Sequence, residues 1–249
     1  FLMLTLFVML WRWRPARVWG AFRTHRHDPA ESREQRRLGY AAGLSYVLEG
    51  GGFSLLNFIA GQISALTVAA WAVVANVAAI VFMVPLGLAT ATAVLVSRSV
   101  GARHLPGVIR AFNLGIGVAL VVLTAISLLL FLEAGPVARI YTKDEGVLLI
   151  LPAALALGSL FYMADGVQVV ASNALRARGD IWWPTRMHAV SYIFLMLPLA
   201  WFLAVHQQMG LNGILWAVIA ASFVSAGALW WRFRALGRHL EGSAARQAG

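Results

Sequence analysis

The chain has 249 residues, of which 60% are apolar and 12% charged, and its mean hydropathy is +0.75. Values so far from soluble-domain averages make lipid the solvent for most of the chain. Zero cysteines exclude disulfides, thiolate metal sites and cysteine nucleophiles, and a net charge of +10 is diagnostic only once its distribution is known.

A membrane-spanning helix needs about 20 mostly apolar residues. In chain order, residues 1–11 read as the end of a truncated transmembrane helix, because the sequence opens inside an apolar stretch at Phe1. Residues 12–37 read as a basic cytoplasmic loop, residues 38–235 as six complete spans, and residues 236–249 as a cytoplasmic tail. The spans run Leu38 to Ala60, Ile63 to Val96, Phe112 to Leu132, Val147 to Ala174, Met187 to Val205 and Leu211 to Trp231. They are too long for barrel strands and lack the alternation of period two, so the fold class is all-α integral membrane. The second span is too long for one straight crossing, and Pro85 with Gly87 predicts a bend or tilt there. Pro152, Pro184 and Pro198 break or start helices and free backbone carbonyls.

Alternating loops define two sides, and all but Arg139 and Lys143 of the 20 basic residues fall on one of them. That asymmetry predicts that the Arg-rich side, and with it the C-terminus, is cytoplasmic. Charge spread over four loops at one membrane face also argues against nucleic-acid binding, which needs one continuous groove or patch. The Trp, Arg and Phe spacing of the segment Arg12 to Arg37 is compatible with an amphipathic surface helix, but a positive-inside loop accounts for it. His25 and His27 lack the further ligands a metal site needs and read as solvated loop residues.

Of the ten acidic residues only Glu49 and Asp165 lie deep within spans: Glu49 at the midpoint of its own, Asp165 about four residues, or roughly 6 Å, from the midpoint of its own. A carboxylate at that depth costs several kcal/mol unless it faces water, a cation or a partner, so each is a functional candidate; the competing reading is a structural acid bonded to another helix. Residues three, four and seven positions away share the acid's face. For Asp165 these include Tyr162, Gln168 and Ser172, with Asn173 and Arg176 continuing the stripe; for Glu49 they are Ser45, Tyr46, Gly52 and Phe53, with Asn57 a turn further. Asn76, central in the second span, could supply an amide oxygen to a hard cation or bond across helices. No phosphate-binding loop or nucleophile-base pair is recognisable, and Gly115 and Gly117 lie inside a span, where they serve helix packing. The chain is therefore expected not to be an enzyme and to need no cofactor.

Several local patterns resemble the second half of a multidrug and toxic compound extrusion (MATE) transporter of the NorM-type branch. Glu49 with Phe53 resembles that branch's seventh-helix acid pattern. Leu66, Ala69, Ala70, Asn76 and the run Phe82 to Ala89, ending at Gly101, are similar to the eighth helix and its loop. Tyr141 and Asp144 resemble the Y-x-x-D before the tenth helix, and Asp165 with Gln168 resembles that helix's acid pattern. Leu175, Arg176, Asp180 and Pro184 are similar to the stretch just beyond it. Leu197 to Leu199, Gly210, Gly213 and Trp216 resemble the last two helices. The chain departs with Ala177 where the family usually has Gly, and with Phe161 where some members place Tyr before the acid, which leaves the coupling cation open.

The resemblance implies a bacterial inner-membrane, multi-pass antiporter of two six-helix lobes, of which this chain is the C-terminal lobe plus the end of the preceding helix. Its partners would be the bilayer, small organic cations and a missing N-terminal lobe of the same protein. Lobes rocking about a midplane site would exchange the organic cation for Na⁺ or H⁺. Glu49 and Asp165 would bind substrate and coupling ion, with Na⁺ as the possible metal; Asn76, Tyr162, Gln168, Phe53 and Phe161 would line the site, and Met83 would add adaptable apolar surface. The rival readings are a flippase for lipid-linked saccharides, which would need cationic groups for a pyrophosphate, and a non-transporting structural membrane protein.

Overall fold

The computed structural model describes residues 2–13 and 29–247, and divides the chain into two compact units, residues 1–37 and 38–249. In the first unit α1 (Leu2–Arg12) is an apolar helix that stops at its only charged residue, with the Phe7 and Trp11 rings 5.9 Å apart one turn from each other. The next helix, α2 (Pro29–Gly61), starts within this unit. Residues 29–37, expected as loop, are thus helical. Pro29 suits the first helical position, Glu31 suits the first turn, and the Glu, Gln and Arg residues after them are good helix formers. His25, His27 and the arginines from Arg14 to Arg26 lie outside the described residues.

The second unit is a helical bundle. α3 (Ala65–Gly101) is capped by Ser64, whose hydroxyl accepts from the Thr67 amide at 3.1 Å. It continues as one helix through Pro85, and at 37 residues, about 1.5 Å each, it exceeds the hydrocarbon thickness. α4 (Leu105–Leu132), with Pro106 in its first turn, leads to the short α5 (Ala134–Tyr141). Asp144 then caps α6 (Glu145–Gly158), its Oδ1 accepting from the Gly146 amide at 2.8 Å, and α7 (Phe161–Ala177) comes next. α8 (Trp182–His206) and α9 (Leu211–Gln247) complete the bundle; residues 236–247, expected as tail, are thus helical as well.

α3, α4, α8 and the Leu211–Gly237 part of α9 are each long and apolar enough to span a membrane, and α6 with α7, bent by 44°, meets the same test as a pair. The expected segment Val147 to Ala174 is therefore interrupted, at Ser159–Leu160 and not at Pro152. The break frees the Ser159 carbonyl, and Ser127 of α4 donates to it at 2.8 Å. The segment Leu38 to Ala60 lies within α2, where Glu49, three consecutive glycines and Asn57 dilute its apolar content below that of the other spans. α8 widens to π-helical turns at Ala189–Met196 and Phe202–His206 on either side of Pro198. Proline's missing N–H and ring clash with the preceding turn make that relaxation favourable.

α7 is central, packed against α3, α4 and α9. Only 28% of the apolar window of α3 and 17% of that of α4 is buried, against 61% for α9, so α3 and α4 keep exposed apolar faces. Gly115 of α4 packs as expected, against Thr92 of α3, whereas Gly117 has no such neighbour.

Candidate functional site

Glu49 on α2 and Asp165 on α7 face one cavity of about 250 Å³. Its walls are aromatic: Tyr46 and Phe53 from α2, Phe82 from α3 and Phe161 from α7, with Ala75, Ala78 and Ala79 of α3 leaving the space open. Asp165 is buried and sits one turn past the Ser159–Leu160 break, which aims the start of α7 into the cavity. Glu49 is half-buried.

Gly52 fixes the distance between α2 and α8. A Cβ there would stand 3.2 Å from both Tyr192 Cβ and Met196 Cε, so only glycine allows this approach without displacement. The approach lets the Tyr192 hydroxyl donate to Glu49 Oε1 at 3.3 Å, while Gln168 Nε2 donates to the same hydroxyl at 2.5 Å. The chain Gln168, Tyr192, Glu49 has a fixed direction and ends on a carboxylate. Phe53 is held among three rings, with centroids 6.2 Å from Trp71, 6.3 Å from Phe161 and 6.0 Å from Tyr192.

A narrow extension of about 10 Å³, enough for roughly one water, continues from Glu49 past Ser172 and Asn173 to Arg176 and His188. Arg176 Nη2 donates to Ser45 Oγ at 2.7 Å, Ser45 Oγ to Thr185 Oγ1 at 3.0 Å, and Thr185 Oγ1 to the Ala41 carbonyl at 2.8 Å. This relay ties α2, α7 and α8 together one turn from Glu49.

Of the residues expected at the site, Glu49, Asp165, Phe53 and Phe161 line the cavity, and Gln168 acts through Tyr192. Tyr162 is buried beside Phe161, with ring centroids 4.6 Å apart, and does not line the cavity. Asn76 is not among the cavity residues either: its Oδ1 accepts from Tyr141 at 2.9 Å, which ties α3 to α5. Tyr192 is the residue that the sequence pattern did not single out; a phenol inside an otherwise apolar span was the available signal. Among the described residues no group of three or more His, Asp or Glu side chains could hold a metal ion.

A polytopic bundle that turns two carboxylates from different helices into an aromatic-walled cavity has the makings of a membrane transporter. The chain belongs to the MatE family, whose model matches residues 41–202. It is 47% identical over 235 residues, 94% of its length, to a probable multidrug resistance protein NorM of Caulobacter vibrioides, and 31% identical over 230 residues, 90% of its length, to one of Rhodopseudomonas palustris. It spans about half the length of these curated relatives, 50% and 48%. Among solved structures, the outward-facing conformation of a multidrug resistance MATE family transporter of the MOP superfamily matches with a TM-score of 0.83 at 18% identity, over 88% of this chain and 49% of that one. The fold is thus one lobe of a MATE-type transporter.

Proposed function

We propose that this chain is the C-terminal lobe of a secondary multidrug exporter that expels organic cations in exchange for Na⁺ or H⁺, with Glu49 and Asp165 as the shared exchange site. The observation that carries this reading is that both carboxylates face one cavity walled by Tyr46, Phe53, Phe82 and Phe161. The aromatic faces suit flat organic cations, through apolar burial and cation–π attraction, without demanding one shape. Coupling then arises from competition: the carboxylates hold either the organic cation or the coupling ion. A ligand moves an equilibrium only by its differential affinity, so the two acids must have different surroundings in the inward- and outward-open states. The Arg-rich side is cytoplasmic in this reading, and the coupling ion enters from the opposite side of the bacterial inner membrane. Names of the relatives, multidrug resistance proteins, support the substrate class.

The test is efflux of a fluorescent organic cation from cells or vesicles bearing the intact transporter, under separately imposed Na⁺ and proton gradients. Gradient-driven efflux is expected in the parent and absent in Glu49→Gln and Asp165→Asn; efflux untouched in both variants at equal expression refutes the assignment. One observation favours the saccharide flippase instead: Arg176 reaches the cavity's extension beside Glu49. A pyrophosphate there would meet two carboxylates against one guanidinium, so the acidic cavity favours cations.

A further inference from the structure

At the Arg-rich end of the bundle, away from the acidic cavity, the turn between α3 and α4 borders an open-sided cleft of about 710 Å³. Arg103 and His104 of the turn, Arg178 and Asp180 after α7, and Arg232 of α9 line it, together with Val108 and Leu236. A second cleft, of about 440 Å³, adjoins it through Ser99 and His104 and adds Arg98 and Arg110. Both lie at the junction of α3 and α4, the two helices with the most exposed apolar faces among the four single-helix spans.

The cationic groups are only partly used by the protein. Asp180 Oδ2 accepts from Arg232 Nε at 2.8 Å, and Arg178 Nη1 donates to the Phe233 carbonyl at 3.0 Å. A guanidinium has five N–H donors, so both arginines retain several for another acceptor. Their planes are already braced, Arg178 at 4.6 Å over Phe233 and Arg232 at 4.8 Å over Trp183. Burial lowers the Arg178 pKa and Asp180 opposes this, as expected of a cation short of counter-charge. The Arg103 guanidinium makes no hydrogen bond or ion pair among the described residues, and the residue holds a φ of 52°, which ends α3 and turns the chain toward α4.

We infer that these adjoining clefts form a binding site for an anionic phospholipid with two phosphates, of the cardiolipin class, one phosphodiester in each cleft. Arginine forks match phosphate oxygens, and neutral apolar lining such as Val108 and Leu236 suits the start of an acyl chain. A soluble phosphate would share the head-group contacts alone; the exposed apolar side chains of Leu95 and Leu114 in the second cleft are what select a lipid.

The test is native mass spectrometry of the intact protein released from nanodiscs containing tetraoleoyl cardiolipin or phosphatidylcholine. Arg103→Asn is the informative variant, because the Arg103 side chain has no internal partner among the described residues and Asn tolerates a positive φ. Cardiolipin is expected to be retained over phosphatidylcholine, its retention to fall about fivefold in Arg103→Asn at an unchanged melting temperature, and to stay unchanged in Lys143→Gln on the other side of the membrane. Equal retention in Arg103→Asn and the parent, equal loss in Lys143→Gln, or displacement of the lipid by millimolar inorganic phosphate would each overturn the proposal.

Discussion

Replacing Tyr192 by Phe deletes one oxygen and leaves the ring that Phe53 and Gly52 pack against. Two hydrogen bonds go with it, one from Gln168 and one to Glu49. Gln168 is fully buried, and its Oε1 already has no partner, so stranding Nε2 as well costs about 1–3 kcal/mol. Glu49 is half-buried beside the cavity, where water can replace the phenol, so its loss adds little to the folding cost. Thermal unfolding of the variant in nanodiscs should therefore register about 1–3 kcal/mol of lost stability. Transport should change in the other direction. The phenol O–H and the coupling ion compete for the same carboxylate oxygens, and a hydrogen bond to a charged group is worth about 1.5–3 kcal/mol. Without it the coupling ion binds more tightly, and its half-saturating concentration for efflux falls about tenfold. An unchanged melting temperature together with an unchanged half-saturating concentration would refute the relay from Gln168 through Tyr192 to Glu49.

Ser127→Ala removes the shorter of two hydrogen bonds to the Ser159 carbonyl at the break between α6 and α7, the longer coming from the Tyr162 amide at 3.4 Å; the expected cost is about 1 kcal/mol, read as a lower melting temperature. Asn76→Leu severs the bond from Tyr141 at a solvent- or lipid-exposed position, so about 1 kcal/mol or less of stability is lost and the Na⁺ or H⁺ dependence of efflux stays as in the parent; a change in that dependence would return Asn76 to the ion site. Arg176→Gln keeps a donor for Ser45 and removes the positive charge beside Glu49; an organic cation should then bind more tightly by fluorescence titration and leave more slowly in efflux assays.

Much of the fold was legible because a bilayer enforces long apolar helices, and the segments that became α3, α4, α8 and α9 stand out as such. Features that depend on neighbours were not. The bend at Ser159–Leu160 is stabilised by Ser127, 32 residues away, and its one local signal, the Gly158–Ser159 pair, was outweighed by Pro152. The helical residues 29–37 reflect a propensity that a loop reading of their charges overlooked. In the site, depth in the membrane singled out Glu49 and Asp165, and helical spacing brought in Phe53 and Gln168. The same spacing failed for Tyr162. It lies three residues before Asp165, yet it turns into the packing beside Phe161, because helical offset gives the face of one helix and not the partner that face meets. Tyr192 belongs to a different helix, so only the closeness granted by Gly52 reveals its role.

In the proposed exchange, the balance of two acids and one nearby arginine limits how tightly a cation is held. Glu49 and Asp165 share the cavity, and Arg176 stands at the end of its extension, tethered through Ser45. With both acids ionised, the ensemble carries one net negative charge, which one monovalent cation neutralises. A second cation then meets a neutral site in a poorly solvated cavity and gains little. In the proposed mechanism, occupation by the organic cation and by the coupling ion would thereby be exclusive. Without the arginine the site would carry two negative charges and hold a cation more tightly, so that release would slow, as predicted for Arg176→Gln. On this reading Arg176 tempers the affinity that Glu49 and Asp165 create, which is what titration of Arg176→Gln measures.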